Sequence, residues 1–316
     1  MFRRKLQLVA GTTYTISLPK EWVSKNGLRA QNELTIMEKD DGDLIISSKP
    51  KDEKKLLKFT LNIDKHLNNI DQVLFAIYYL GIEEIHLYSK SEMGKETKSK
   101  IRKTLKNMSG TEISFEDQKN IEIMVLLDKS KININQLLYR ISLIIDSTFS
   151  NLETDLDLEK IKVNENEIDR LYHLMAKIIS VSSINSSILQ SSEIRNSLLI
   201  PNFSLIAKRL EHTGDFSEAI ADYISEKGIG IENKAEIFLF FRKKLQNSIT
   251  NLRKATDNVF EKTPEAEIEK MRKLIKKNKD KIIAEHLGEI LILLVDIEEE
   301  VTNISFYRQL IRNKLI

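Results

Sequence analysis

Glu211-His212-Thr213-Gly214-Asp215 returns later in the chain as Glu285-His286-Leu287-Gly288-Glu289, and this echo decides how the second half is read. Glu165-Asn166-Glu167-Ile168-Asp169-Arg170-Leu171 returns in the same order as Glu265-Ala266-Glu267-Ile268-Glu269-Lys270-Met271. Asp222 and Asp296 each stand eleven places after the first Glu of their own motif. At 3.6 residues per turn, positions i, i+4 and i+11 fall within about 40° of one another on a helix. Each copy therefore lines one helical stripe with three acids and adds an E-x-x-x-D/E pair on a second helix. Gly214 and Gly288 interrupt helix interiors, where glycine costs about 0.5–1 kcal/mol relative to alanine but lets another group approach closely. Ala219, Ile220 and Ala221 flank the first stripe, as Leu293, Leu294 and Val295 flank the second, so both sets of acids lie close to apolar surface.

Crowded carboxylates beside apolar surface resist ionisation, and a bound cation removes that penalty. The candidate metal ligands are Glu165, Asp169, Glu211, Asp215 and Asp222 in the first copy. Glu265, Glu269, Glu285, Glu289 and Asp296 are their counterparts in the second. All-oxygen ligation fits Mg, Mn or Fe and disfavours zinc, which prefers Cys and His. His212 and His286 project about 100° away from the preceding motif acid and read as packing residues.

Outward from these motifs, apolar residues recur at helical spacing from Asn133 onward. Helices are expected near 134–152, 155–190, 202–227, 233–262, 265–279 and 282–314. Gly228 and Gly230 divide them into two triplets, a duplicated three-helix bundle. The first triplet carries extra sequence, Val181 to Asn202, read as a longer helical arm and a loop.

The region before the helices has another character. Residues 56–128 predict a small α/β sandwich in the order strand, helix, strand, helix, strand, strand. Its strands are 57–63, 84–88, 112–115 and 121–127, and its helices 66–80 and 93–107. His66 and His86 have no metal-ligand neighbours at useful spacing. Residues 1–48 predict two hairpins about one short helix. The first pairs Lys5–Val9 with Tyr14–Leu18, and the second pairs Glu33–Met37 with Leu44–Ser47 about Asp40-Asp41-Gly42-Asp43. The helix, Lys20–Asn26, opens after Pro19, closes at Gly27 and packs on the strands through Trp22. So short a segment buries little core alone, so intertwining with a second copy is expected. Lys49–Lys55 reads as a linker.

The 316 residues are 41% hydrophobic and 30% charged, which is enough apolar material for real cores. Cysteine is absent, excluding disulfides, zinc fingers and thiol catalysis. No run of eighteen apolar residues occurs and no signal-peptide core follows Met1-Phe2-Arg3-Arg4-Lys5, so a cytoplasmic protein that is not integral to the membrane is expected. No P-loop, dinucleotide fingerprint or Ser/His/Asp set can be assembled, and the chain is not expected to be an enzyme. The net charge is only +2, so a nucleic-acid argument rests on local clustering. Arg3, Arg4, Lys5 and Lys20 supply such a cluster, able to neutralise phosphates.

Arg4-Lys5-Leu6-Gln7, then Ser17-Leu18-Pro19-Lys20-Glu21-Trp22, Gly27-Leu28 and Glu33-Leu34, resemble the AbrB/SpoVT swapped-hairpin family. That resemblance implies an intertwined dimeric β-barrel binding double-stranded DNA through Arg3, Arg4, Lys5 and Lys20. Glu211-His212-Thr213-Gly214-Asp215-Phe216-Ser217-Glu218-Ala219-Ile220-Ala221-Asp222 resembles the E-R-I-G-D-x-A-x-x-I-A-E signature of PhoU proteins, the phosphate-uptake regulators. His212 replaces the usual Arg and Asp222 the usual Glu, while Glu269 and Glu289 stand where Asp is usual. The resemblance implies a metal-binding six-helix domain in the layout of archaeal PhoU-like regulators. A homodimeric, DNA-binding transcriptional regulator of phosphate uptake is therefore expected. The alternative is an adaptor restraining a phosphate transporter or a sensor kinase, its N-terminal domain serving only to dimerise.

Overall fold

The computed structural model describes residues 3–38, 42–48, 57–254, 260 and 262–313. It forms two compact units, Met1–Lys55 and Leu56–Ile316.

In the first unit, β1 (Gln7–Val9) pairs antiparallel with β2 (Thr13–Thr15). The turn between them uses positive φ at Ala10 (52°) and Gly11 (74°), the twist that joins hairpin strands without splaying them. Helix α1 (Lys20–Lys25) follows Pro19, and β3 (Thr35–Glu38) pairs with β4 (Leu44–Ser47). Both strands of the first hairpin are shorter than their sequence patterns suggest. Alternation identifies a residue's face, but only a partner's N–H and C=O groups extend a strand. The turn residues Asp40 and Asp41 and the linker Lys49–Lys55 lie outside the described residues. No described residue of this unit is buried. Leu6, Leu8, Val9, Tyr14, Ile16, Ile36 and Leu44 are each 49–66% exposed.

The second unit begins with a two-layer α/β arrangement. Its elements are β5 (Lys58–Asn62), α2 (Ile70–Tyr79), β6 (Glu84–Tyr88), α3 (Lys95–Lys106), β7 (Thr111–Glu116) and β8 (Asn120–Val125). The strand order is β5-β6-β8-β7, with β5 and β6 parallel and the other pairs antiparallel. A parallel pair needs a crossover, which α2 provides. Ile85, Leu87, Ile121, Ile123 and Val125 alternate into one core with Ile70, Leu74, Ile101 and Leu105. This is the strand and helix order that the sequence predicts.

The helical part comprises α4 (Ile134–Glu153), α5 (Leu158–Ser182), α6 (Ser186–Ser191), α7 (Ile200–Lys227), α8 (Lys234–Lys254), α9 (Glu265–Ile275) and α10 (Lys281–Arg312). Side chains of Asn133, Asp157 and Asp280 cap α4, α5 and α10, and Gly228 closes α7 at φ 64°. The helix expected over 155–190 is in fact two. The Asn185 side chain accepts the N–H groups of Ser187 and Ile188, so a new N-cap starts α6 where apolar spacing alone would continue α5. Helix α7 packs on α5 and α10, while α8 packs on α4 and α10. Phe149 meets Phe238 and Phe241 at ring separations of 5.6 and 5.7 Å in the middle of the core.

Helix α2 also packs against α5, joining the α/β layer to the helices within one compact unit. At this junction Lys177 is fully buried, its Nζ lies 4.0 Å from the Tyr78 ring centroid, and it has no hydrogen-bond partner. Burial, helped by Lys129 and opposed by Glu83, pushes the Lys177 amine from 10.5 down to about 7. The unfolded chain thus binds a proton there that the fold resists. The resulting penalty is fully present below pH 7 and fades as pH rises toward the ordinary lysine range. Lys177→Met keeps the packing and removes the charge. We expect it to raise Tm by a few degrees at pH 7 and to converge on wild type near pH 10, as thermal melts across that range would show.

Candidate metal centre

Helix α5 carries Glu165 and Asp169, and α7 carries Glu211, Asp215, Glu218 and Asp222. The two helices approach closely at Gly214, where a Cβ would sit 3.0 Å from Cδ1 of the buried Ile168. This is the close approach that a glycine inside a helix suggests. It sets the first turn of acids on α7 opposite those on α5.

Carboxylate oxygens of Glu165, Asp169 and Asp215 lie within 4.8 Å of one another, as do ligand atoms of Glu211, His212 and Asp215. Burial, followed by the charges of Asp169 and Glu218, pushes Glu165 from 4.5 up to about 8. Burial, followed by Glu211 and Asp215, pushes Asp169 from 3.8 up to about 6. Burial also raises Glu211, Asp215 and Glu218. One cation of the protein already approaches the group: Lys208 Nζ donates to both oxygens of Glu211 at 2.8 and 2.7 Å, and lies 4.9 Å from the Tyr172 ring centroid. Three converging carboxylates that hold protons unusually tightly would offer an oxygen donor set to a hard cation. Glu165, Asp169 and Asp215 would hold it, with Glu211 and His212 on the adjoining side.

Two sequence readings change here. His212, read as a packing residue, has Nε2 3.5 Å from Glu211 and can offer a ligand atom beside Asp215. The imidazole is long enough to reach back over the 100° offset of its Cα. Asp222 does not join the converging group, because its carboxylate pairs with Lys162 at 3.0 Å.

The second set of acids is not gathered. Glu265 and Glu269 face Arg272 at 3.0 and 3.5 Å. Glu285 and Glu289 are exposed along α10. Asp296 lies 3.3 Å from Arg209, which also binds Glu300 at 2.9 Å. Nothing lies within 4 Å of the place a Cβ would take on Gly288. Among the described residues, none of these five acids belongs to a converging ligand group. Arg272, on the same helix as Glu265 and Glu269, and Arg209 on α7 pair with three of these five carboxylates.

Sequence reasoning missed several residues of the first site. Glu218, at i+7 from Glu211, shares its stripe, and that spacing alone could have found it. His173 continues the α5 stripe four residues beyond Asp169. Its Nδ1 shares a hydrogen bond of 2.5 Å with the Tyr79 hydroxyl, and its ring stacks on Phe75 with centroids 3.8 Å apart. Burial pushes His173 down to about 4, so it is neutral at physiological pH. The α/β layer thus reaches the edge of the site through α2, a contact that no local pattern encodes.

In the first unit, Arg3, Arg4 and Lys5 are exposed just ahead of β1, and Lys20 is exposed at the start of α1. Residues 7–55 match a family described as antidote-toxin recognition MazE, bacterial antitoxin. The matched span includes both hairpins, α1 and Lys20, and begins just after Arg3, Arg4 and Lys5. The chain therefore joins a MazE/AbrB-like N-terminal domain to a largely helical C-terminal region. No curated protein and no solved structure matches the chain. Among the described residues, no helix is long and apolar enough to cross a membrane.

Proposed function

We propose that this protein is a homodimeric DNA-binding regulator of phosphate uptake, with a cation site in its helical part, acting by binding rather than by turnover. The observation that carries the DNA-binding part is the first unit itself. It matches an antitoxin family, displays a basic cluster beside β1 and α1, and buries none of its described residues. A second copy of the same unit would cover its exposed Leu, Ile, Val and Tyr side chains and set two basic faces side by side. The phosphate-specific part rests on the E-x-x-G-D motif of α7 and on the carboxylates it gathers with α5.

A Mg, Mn or Fe ion in this site supplies fixed positive charge. The chain's own residues do the rest. Glu165, which otherwise retains its proton near neutral pH, would give it up, Asp169 would join it from α5, and Asp215 would complete the ligand set from α7. Ligands drawn from both helices would tie α5 to α7, and His173 on α5 carries the contacts to Tyr79 and Phe75 of α2.

Fluorescence anisotropy tests the reading, using duplex DNA from a phosphate-transport promoter across a salt series. Tight binding by wild type with a steep salt dependence is expected. Arg4→Ala/Lys5→Ala should flatten the slope by about two for each protomer that engages. Absence of binding at low salt by a folded dimer would sink the DNA reading and favour an adaptor on a transporter or sensor kinase.

A further inference from the structure

Helix α3 has six Lys or Arg among its twelve residues, against a single acid, Glu96. Three of these cations have structural partners. Lys98 and Arg102 bind Glu116, and Lys100 binds Asp71. No acid among the described residues pairs with Lys95, Lys103 or Lys106, and all three are exposed. With Ser99 and Arg102 they occupy a stripe about 100° wide and roughly 16 Å long. The opposite face is fixed by buried Ile101, Thr104 and Leu105, so the stripe is held outward on a rigid support.

Helix electrostatics explain only part of this pattern. Lysines in the last turn complement the negative end of the helix dipole, as Lys103 and Lys106 do. Lys95 opens the helix, where a cation is disfavoured. Its presence extends the unpaired positive charge along the full length of the stripe. The exposed face contains Lys95, Glu96, Ser99, Arg102, Lys103 and Lys106, with no apolar or aromatic side chain. It therefore offers nothing to insert into a membrane and nothing on which an unstacked base could rest. What it does offer is a row of charge-assisted donors for the phosphate oxygens of a duplex backbone.

We propose that the exposed face of α3 is a second, sequence-independent contact for the phosphate backbone of duplex DNA, made by Lys95, Lys103 and Lys106 with support from Arg102. This rests on the reading of the protein as a DNA binder, and adds that binding is not confined to the N-terminal unit. The test uses the full chain in three forms: wild type, Lys95→Gln/Lys103→Gln/Lys106→Gln and Arg4→Ala/Lys5→Ala. Anisotropy is measured on a promoter duplex and on a scrambled duplex between 50 and 200 mM salt. If the three lysines contact phosphates, their replacement lowers the salt slope by about 2.7 for each protomer engaged. Over this salt range wild type would then lose about fortyfold more affinity than the lysine variant, and equally so on both duplexes. Circular dichroism confirms that the surface variant is folded. Wild-type affinity and slope in that variant, with binding lost in Arg4→Ala/Lys5→Ala, would overturn the α3 proposal and leave the DNA reading intact. If wild type binds neither duplex, both readings fail. Retention on vesicles containing phosphatidylserine, lost in the lysine variant, would then assign the stripe to an anionic lipid surface instead.

Discussion

Lys244→Met is expected to destabilise the second unit by about 3–5 kcal/mol, among the largest losses available to a single side chain here. Lys244 and Glu298 form an ion pair between α8 and α10 in which the side chains are 1% and 4% exposed. Glu298 also accepts the Thr263 N–H at 3.0 Å and the Thr263 hydroxyl at 2.6 Å, just before α9 begins. Lys244 donates to that same hydroxyl at 3.1 Å. Two helices and the segment leading into a third therefore converge on one charge pair. Removing the ammonium alone leaves a buried carboxylate with no cation, and that uncompensated charge is the source of the loss. Adding Glu298→Gln removes the charge while keeping an oxygen for Thr263, so the double variant should recover most of the deficit. Urea denaturation of the four forms reads the cycle directly. A Lys244→Met midpoint within error of wild type would show that the pair contributes nothing to stability.

The second large effect belongs to the carboxylate site and depends on both pH and cation. Glu165 and Asp169 hold protons in the fold, up to about 8 and about 6, that the unfolded chain releases near 4.5 and 3.8. Between these limits the native state binds more protons than the unfolded state, so cation-free stability falls as pH rises from about 3.8 to about 8. Glu165→Gln removes much of this fall, and without cation the variant should be more stable than wild type at pH 8. Cation binding reverses the comparison. At a hundred times the dissociation constant, a ligand specific to the native state stabilises it by about 2.7 kcal/mol. Wild type should show that gain with Mn or Mg, and Glu165→Gln should largely lose it. Differential scanning fluorimetry at pH 5 and pH 8 suffices, with calorimetric titration to establish binding. Wild-type melting unchanged by Mg, Mn or Fe at both pH values would remove the cation site from the proposed function.

How much of this was legible in the sequence depends on the range of the interaction involved. Apolar periodicity placed α4, α7 and α10 to within a few residues, because each helix buries a continuous stripe. It ran through Ser183 and Asn185 without registering a break, since a cap is a single side chain competing for backbone donors. The spacing of Glu211 and Asp215 and the glycine between them marked the first site, and the contact of Gly214 with Ile168 shows why. Applied to the second copy, the same spacing led to acids that the fold does not gather. Arg272 pairs with Glu265 and Glu269 along its own helix, whereas Arg209 reaches Asp296 from α7, a contact between helices that no helical period reveals. Tyr79 and His173, almost a hundred residues apart, meet only because α2 packs on α5.

Helix α2 is the crossover that makes a parallel β5–β6 pair possible, and it is also the surface on which α5 rests. Leu127 packs against both the sheet's core and the helical one. Cutting the chain between β8 and α4 would therefore strip a packed interface between two cores. Each fragment would expose half of the Phe75, Tyr79 and His173 stack. The α/β layer and the helices should melt in one calorimetric transition, because the contacts of Phe75 and Tyr79 with His173 make α2 a strut between the sheet and α5.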